Sequence, residues 1–381
     1  MKAALTSMAL LVSSLAFAAA PDGSIDSLQA SVQGKTIGTE GPGVQLPRPA
    51  ADYRDTITQA LAAPLSADAA VRVALLNNPQ LQATLGAEGL TVTDGFGSNT
   101  PSRVRAQQAV TVLSAQAFKA WVNAVAARQN VQLMRNAKDT AESSNALVQR
   151  MVQAGNVNKL TQAHNQAALS EAVLALARAE QAAFAARETL TVVLGLSGMQ
   201  TQFALPDLLP SVPAQALDLP DIEARALRAR ADLQSAQQQW LQKQSLALRN
   251  PEARWDAMGD AAGVRAQGVL LRSQARSAYY RYRSSWDIAR HLQDAVLPLR
   301  KFIHDEQVLR YNGMLTSVFE VLADSQTQTL AHSTSAMAQR DFWLAHADLQ
   351  ALLAGAPFEA IGGDAGNSDA ASSATSKPAG H

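Results

Sequence analysis

The chain has 381 residues, 47% hydrophobic but only 17% charged and 5% aromatic, and it contains no cysteine. Its 32 basic and 32 acidic side chains cancel, so no overall charge draws it to nucleic acid or to an acidic membrane surface; thiolate chemistry, a cysteine-based zinc site, disulfides and a lipid anchor on an N-terminal cysteine are excluded. Much of the hydrophobic share is alanine, which favours helix and close packing but buries little apolar area per residue, so a long helical assembly fits it better than a compact enzyme core.

The first element is an address. Lys2 precedes an apolar run over 8–17, and Ala16, Ala18, Ala19 and Ala20 stand just before Pro21 and Asp22, the layout of a cleaved signal peptide over 1–20. The run is too short to span a bilayer, which puts the mature protein in the periplasm, or on the periplasmic side of the outer membrane, if the cell is Gram-negative. Residues 24–48 are rich in Gly, Ser, Thr and Pro without apolar periodicity, so 21–64 reads as a flexible N-terminal segment. A first helical repeat then covers 65–198 and a second 221–357. Between them 199–220 forms a linker with Pro206, Pro210, Pro213 and Pro220, and 358–381 reads as a disordered tail.

Within the repeats the fold class is all-α. Helical patterns run over 103–154 and 262–312, each about 75 Å long at 1.5 Å per residue, which implies a coiled-coil or barrel of helices rather than a globule. They break at Gly155-Asn156 and Asn312-Gly313, and helices over 157–196 and 315–354 follow. Those end at Gly195 and Gly355, where glycine suits a C-cap. Two long antiparallel helical hairpins result. Alanines 163, 167, 168, 172, 175, 177, 182 and 186 give the second helix a small-residue face, and Pro298 is expected to kink the third. Residues 74–82 align with 226–234 at an offset of 152, and Gly155 with Gly313 at 158, so the chain is a duplication.

No enzyme constellation is present. The histidines at 164, 291, 304, 332, 346 and 381 are dispersed and read as surface residues, no HExxH, GxSxG or Walker pattern occurs, and neither a metal site nor a cofactor is expected. Asp341 and Asp348 read as solvated helix surface, and Met314 as packing. The run Arg276-Ser-Ala-Tyr-Tyr-Arg-Tyr-Arg283 could stack bases or sit at lipid headgroups; under the helical reading its tyrosines pack between long helices and its arginines point outward. With an export signal, no nucleic-acid partner is expected.

The Ala-Leu-Leu-Asn-Asn-Pro-Gln-Leu stretch at 74–81 and its second copy, the helix closing on Leu194-Gly195, and Arg310-Tyr-Asn-Gly-Met314 followed by Val-Phe-Glu-Val-Leu at 318–322 together resemble the TolC-type outer membrane efflux protein family over about 65–355. The resemblance implies a trimer whose helical barrel continues into a twelve-stranded membrane barrel. It also implies hairpin tips that meet a periplasmic adaptor protein joined to an inner-membrane pump. The candidate adaptor-docking residues are then Gly155, Asn156, Val157, Tyr311, Asn312, Gly313 and Met314. The 311–314 segment is similar to that of members linked to metal-ion resistance. The spaces where the family carries membrane strands, 83–102 and 249–263, are rich in Gly, Pro and Asp and lack alternation, so little or no β-barrel is expected. That leaves three outcomes: assembly with full-length relatives, a soluble periplasmic helical binding or scaffold protein, or a degenerate remnant.

Overall fold

The hairpin helices close beside left-handed residues, and two of them open on side-chain caps, which supply the backbone partners that a helix terminus lacks. The computed structural model describes residues 25–37, 43–49, 51–88, 101–247 and 253–357, and among these no strand occurs. In chain order the helices are α1 (Ile25–Val32), α2 (Arg54–Leu61), α3 (Ala67–Asn77), α4 (Pro79–Glu88), α5 (Pro101–Gln153), α6 (Lys159–Leu194), α7 (Ile222–Ala229), α8 (Ala231–Ala247), α9 (Ala253–His291), α10 (Leu297–Asn312) and α11 (Val318–Leu353). Ser66, Asn158 and Ser317 cap α3, α6 and α11, each accepting from the amide three residues on.

Cross-links between side chains give the direction of every long helix. Lys119 pairs with Asp348 at 2.8 Å, and further along α5 Ser333 donates to Asn130 at 3.0 Å, so α5 and α11 are antiparallel. Arg135 with Glu180 and Ser144 with Asn165 do the same for α5 and α6. Tyr282 against Phe342, and His304 with Asp324, set α9 and α10 against α11. The long helices therefore lie side by side in the order α6, α5, α11, α9–α10. The short helices α3 and α4 pack on α5, and α7 and α8 on α9.

The duplication is visible at atomic detail. Gly195 closes α6 at φ +67, and a Cβ there would lie 2.5 Å from the Asn77 carbonyl oxygen. Gly355 follows α11 at φ +92, and its Cβ would lie 2.4 Å from the Ala229 carbonyl oxygen. Asn77 and Ala229 are 152 residues apart, the offset of the sequence repeat, so the end of each hairpin seats on the same point of its own leading helix. The first half adds an amide clamp: Asn77 donates to the carbonyls of Leu194 and Gly195, and Asn78 to that of Val193.

The linker crosses the layer as a strap. Arg128 on α5 holds the Leu205 carbonyl at 2.9 Å and Asp207 at 2.7 Å; Gln339 and Trp343 on α11 both donate to the Pro210 carbonyl; Trp286 on α9 donates to that of Pro213. Under it lies the aromatic core, with Trp121, Tyr282 and Phe342 almost fully buried.

Several expectations change. The segment 25–49 is not a tether over its described residues: Leu28 and Val32 are fully buried, Val44 and Leu46 nearly so, and Arg103 and Gln107 of α5 donate to Ser27 and Ser31 of α1. Glycine and serine content masked an Ile25, Leu28, Val32 spacing that is helical. Asp348 is not solvated but 6% exposed, between Lys119 and, at 3.7 Å, Arg281. His346 is not a surface histidine: it is wedged among Tyr282, Phe342 and Trp343, and burial pushes its imidazole below the usual value. Pro298 produces no simple kink; a π-helical turn, Leu292–Val296, precedes it. Of the tyrosines, Tyr282 and Tyr279 face inward and bond the strap at Leu217 and Leu219, while Tyr280 is exposed. The signal-peptide and C-terminal tail expectations lie outside the described residues.

Candidate functional site: the hairpin tips

Beyond the strap at Arg128, α5 continues for about 37 Å at 1.5 Å per residue. Because α11 runs antiparallel to α5, the turn joining α10 to α11 lies at the same end as the turn joining α5 to α6. The seven candidate tip residues are therefore brought together at one pole of the chain.

Both turns are built alike. In the first, Gly155 is left-handed at φ +77, its N–H reaches Val152, the Asn156 N–H returns to the Met151 carbonyl at 2.9 Å, and Asn158 then caps α6. In the second, Met314 is left-handed at φ +60, its N–H reaches Tyr311, the Leu315 N–H returns to the Arg310 carbonyl at 2.8 Å, and Ser317 caps α11. Each is a Schellman closure followed by a side-chain N-cap. Gly155 thus corresponds to Met314, and Asn158 to Ser317, at an offset of 159.

This corrects the pairing of Gly155 with Gly313. Gly313 sits at φ −80, open to any residue, and a Cβ added there meets nothing closer than 3.6 Å. Sequence reasoning took glycine as the marker of the left-handed position, but in the second tip methionine occupies it, at a cost of about 1–2 kcal/mol. Nor is Met314 packed: it is 93% exposed, beside Leu315 at 74%. Asn156 and Asn312 are exposed, Val157 is half-buried and Tyr311 is 45% exposed. Leu160 and Leu315 complete the apolar surface and were not among the candidates. Their signal was present, since each stands within two residues of an N-cap at a predicted turn.

Among the described residues no group of three or more His, Asp or Glu is placed to hold a metal ion. What the tips offer is shape and exposed apolar surface at the end of the long helices.

Solved structures with the same arrangement exist. CusC, whose crystal structures follow folding and transmembrane channel formation, aligns with a TM-score of 0.54 at 15% identity over 79% of this chain and 95% of that one. The CmeC outer membrane channel of Campylobacter jejuni aligns at 0.54 and 14%, over 72% and 68%. VceC, an outer membrane protein of Vibrio cholerae, aligns at 0.53 and 11%, over 76% of each chain. The chain has the fold of the TolC-type outer membrane channels. No family model and no curated protein matches the sequence. The TolC-type fold is carried here by its helical part. Residues 83–88 continue α4 and 253–263 open α9, leaving the intervals 89–100 and 248–252. The expectation of little or no β-barrel falls, over these intervals, outside the described residues.

Proposed function

We propose that the chain is an outer membrane efflux protein-like component of a tripartite export system, without enzymatic activity, that oligomerises and docks a periplasmic adaptor through its hairpin tips. The observation that carries this reading is the pair of matching closures at one pole, one of which holds a strained, exposed methionine. Strain at a turn that a glycine would relieve is retained where the side chain is used. The adaptor would link the chain to an inner-membrane pump, and the cargo is a small solute. Metal ions come first among cargoes because of the similarity at 311–314. The likeness to outer membrane channels supports a site in, or on the periplasmic side of, the outer membrane after export.

Adaptor capture tests the docking role. With Gly313→Arg the backbone accommodates the side chain, and with Met314→Asp the exposed apolar contact becomes a charge. Both should lower co-purification of a TolC-type adaptor about tenfold or more while leaving the melting temperature nearly unchanged. Binding that survives both variants contradicts the proposal.

A second reading, a soluble periplasmic helical binding or scaffold protein without a channel, is favoured by the sequence over 83–102 and 249–263, which is rich in Gly, Pro and Asp and lacks the alternation of a membrane strand. Fractionation of cells followed by mass measurement with and without detergent separates the two. A monodisperse monomer obtained without detergent rejects a self-sufficient channel.

A further inference from the structure

Below the strap, on the side facing the tips, α5, α11 and the α9–α10 helix part around a cavity of about 560 Å³. Gln129 and Leu133 of α5, Ser335 and Ala336 of α11 and Leu297 of α10 line it, and Leu208, Leu209 and Val212 of the strap roof it. Small side chains leave the gap: Ala289, Ser335 and Ala336 stand where larger residues would join the helices. The π turn contributes the third wall. A step of four residues drifts around a helix of 3.6 residues per turn, whereas hydrogen bonds that close one residue later slow that drift. Ala289, Gln293 and Leu297, spaced by four across the π turn, all line the cavity.

The chemistry of the walls is selective. The strap is fixed from below, with Asp207 engaged by Arg128 at 2.7 Å and Gln339 spending its amide on the Pro210 carbonyl, so no uncompensated carboxylate faces the space. His332 sits exposed at the rim. The remaining lining is mostly aliphatic. One polar atom stands out: Oε1 of Gln129 is buried and meets no hydrogen-bond donor among the described residues. A buried acceptor left unmet costs about 1–3 kcal/mol; Oε1 is turned away from the space, but the half-buried Gln129 side chain lines a cavity within the usual 300–1,000 Å³ range of ligand pockets, and a turn about its soft terminal torsion presents Oε1 to a donor there.

We propose that this cavity is a binding site for a neutral, mostly apolar small molecule carrying a single N–H or O–H donor, which Gln129 Oε1 accepts. The site lies about 35 Å from the tips along α5, stands apart from the adaptor-docking residues, and does not depend on that function.

The dye N-phenyl-1-naphthylamine fits the description: neutral, two aromatic groups, one N–H, with fluorescence that rises in apolar surroundings. Titrated into the purified full chain, it should bind saturably at one site per chain with a micromolar half-saturation. Ser335→Phe fills the cavity from α11 and Leu208→Trp fills it from the exposed strap without touching the core; either should weaken binding by about tenfold or more. Gln129→Leu keeps the volume and removes the acceptor, so it should weaken N-phenyl-1-naphthylamine about five- to tenfold, the worth of one hydrogen bond. The same variant should leave 1-phenylnaphthalene, which has no donor, unaffected. Non-saturable binding overturns the proposal, as does undiminished binding in Leu208→Trp, which would put the dye on the exposed helix faces. Equal weakening of both probes by Gln129→Leu overturns the role given to Oε1.

Discussion

Gly195 and Gly355 are 160 residues apart, yet both are glycine for the same two reasons: a left-handed backbone and a carbonyl oxygen where a Cβ would be. Either substitution to alanine should therefore cost about 2 kcal/mol or more in urea unfolding. By contrast, Gly313→Ala, at φ −80 with open surroundings, should be neutral or stabilise by a few tenths to 1 kcal/mol. Met314→Gly should stabilise by about 1 kcal/mol; if it instead destabilises, the left-handed geometry at 314 is wrong. The closing glycines could be read from the sequence because each ends a helical period. Met314 could not, since composition offers no marker for a side chain held in a glycine conformation. His346 is a second residue hidden from sequence. Its ring is pressed among Tyr282, Phe342 and Trp343, and its Nδ1 lacks a partner among the described residues. Burial lowers its pKa from 6.5, so in acid the unfolded chain binds a proton that the folded chain resists. The stability this contributes is fully present above 6.5 and is lost as pH falls through 6.5 toward the folded value. The melting temperature should decline across that window, and His346→Phe should reduce the decline; an unchanged pH profile in that variant removes the assignment.

At the scale of elements, the four long hairpin helices were legible because apolar periodicity and a glycine beside the helix end agree with one another at Gly155, Gly195, Gly313 and Gly355. α1 was not, because the same glycines and serines that suggest a tether also flank a short helix whose three apolar residues need a partner to be worth ordering. α5 is that partner, and tertiary burial decided what local composition left open. Leu28 is fully buried, so Leu28→Ala should cost about 2–4 kcal/mol, measured by thermal or urea unfolding. A cost under 0.5 kcal/mol would restore the tether reading. The π turn was half legible: Pro298 announces that one backbone bond will be missing, but whether the helix kinks or admits an extra residue depends on what it packs against. Here α11 is one continuous helix, and α9, the π turn and α10 all pack against it.

At the scale of the whole molecule, the layer α6, α5, α11, α9–α10 has two edges, and neither is finished. Most of the alanine-rich face of α6 is not buried within the chain: only Ala179, Leu190, Thr191 and Leu194 of that helix are, while Val173, Leu174 and Phe184 are exposed. On the opposite edge Val269, Ile288, Leu299 and Phe302 are exposed as well. The two edges differ in sequence, so a copy that places its α6 against the α9–α10 edge of the next makes a head-to-tail contact, and such contacts form a ring when the rotation between neighbours closes. That is the assembly expected of the proposed channel-like component, and the alanine content supplies its close helix approach. Phe184→Glu and Phe302→Glu each place a charge in that contact while altering a side chain already in solvent within the chain. Both should convert the oligomer to monomer by light scattering, with little change in melting temperature. Mixing the two variants is the sharper measurement. The Phe184→Glu chain retains an intact α9–α10 edge and the Phe302→Glu chain an intact α6 edge, so the mixture should form one good contact and stop at a heterodimer. If α6 instead packed on α6, Phe302→Glu alone would leave the oligomer whole and the mixture would gain nothing, and the ring would have to be abandoned.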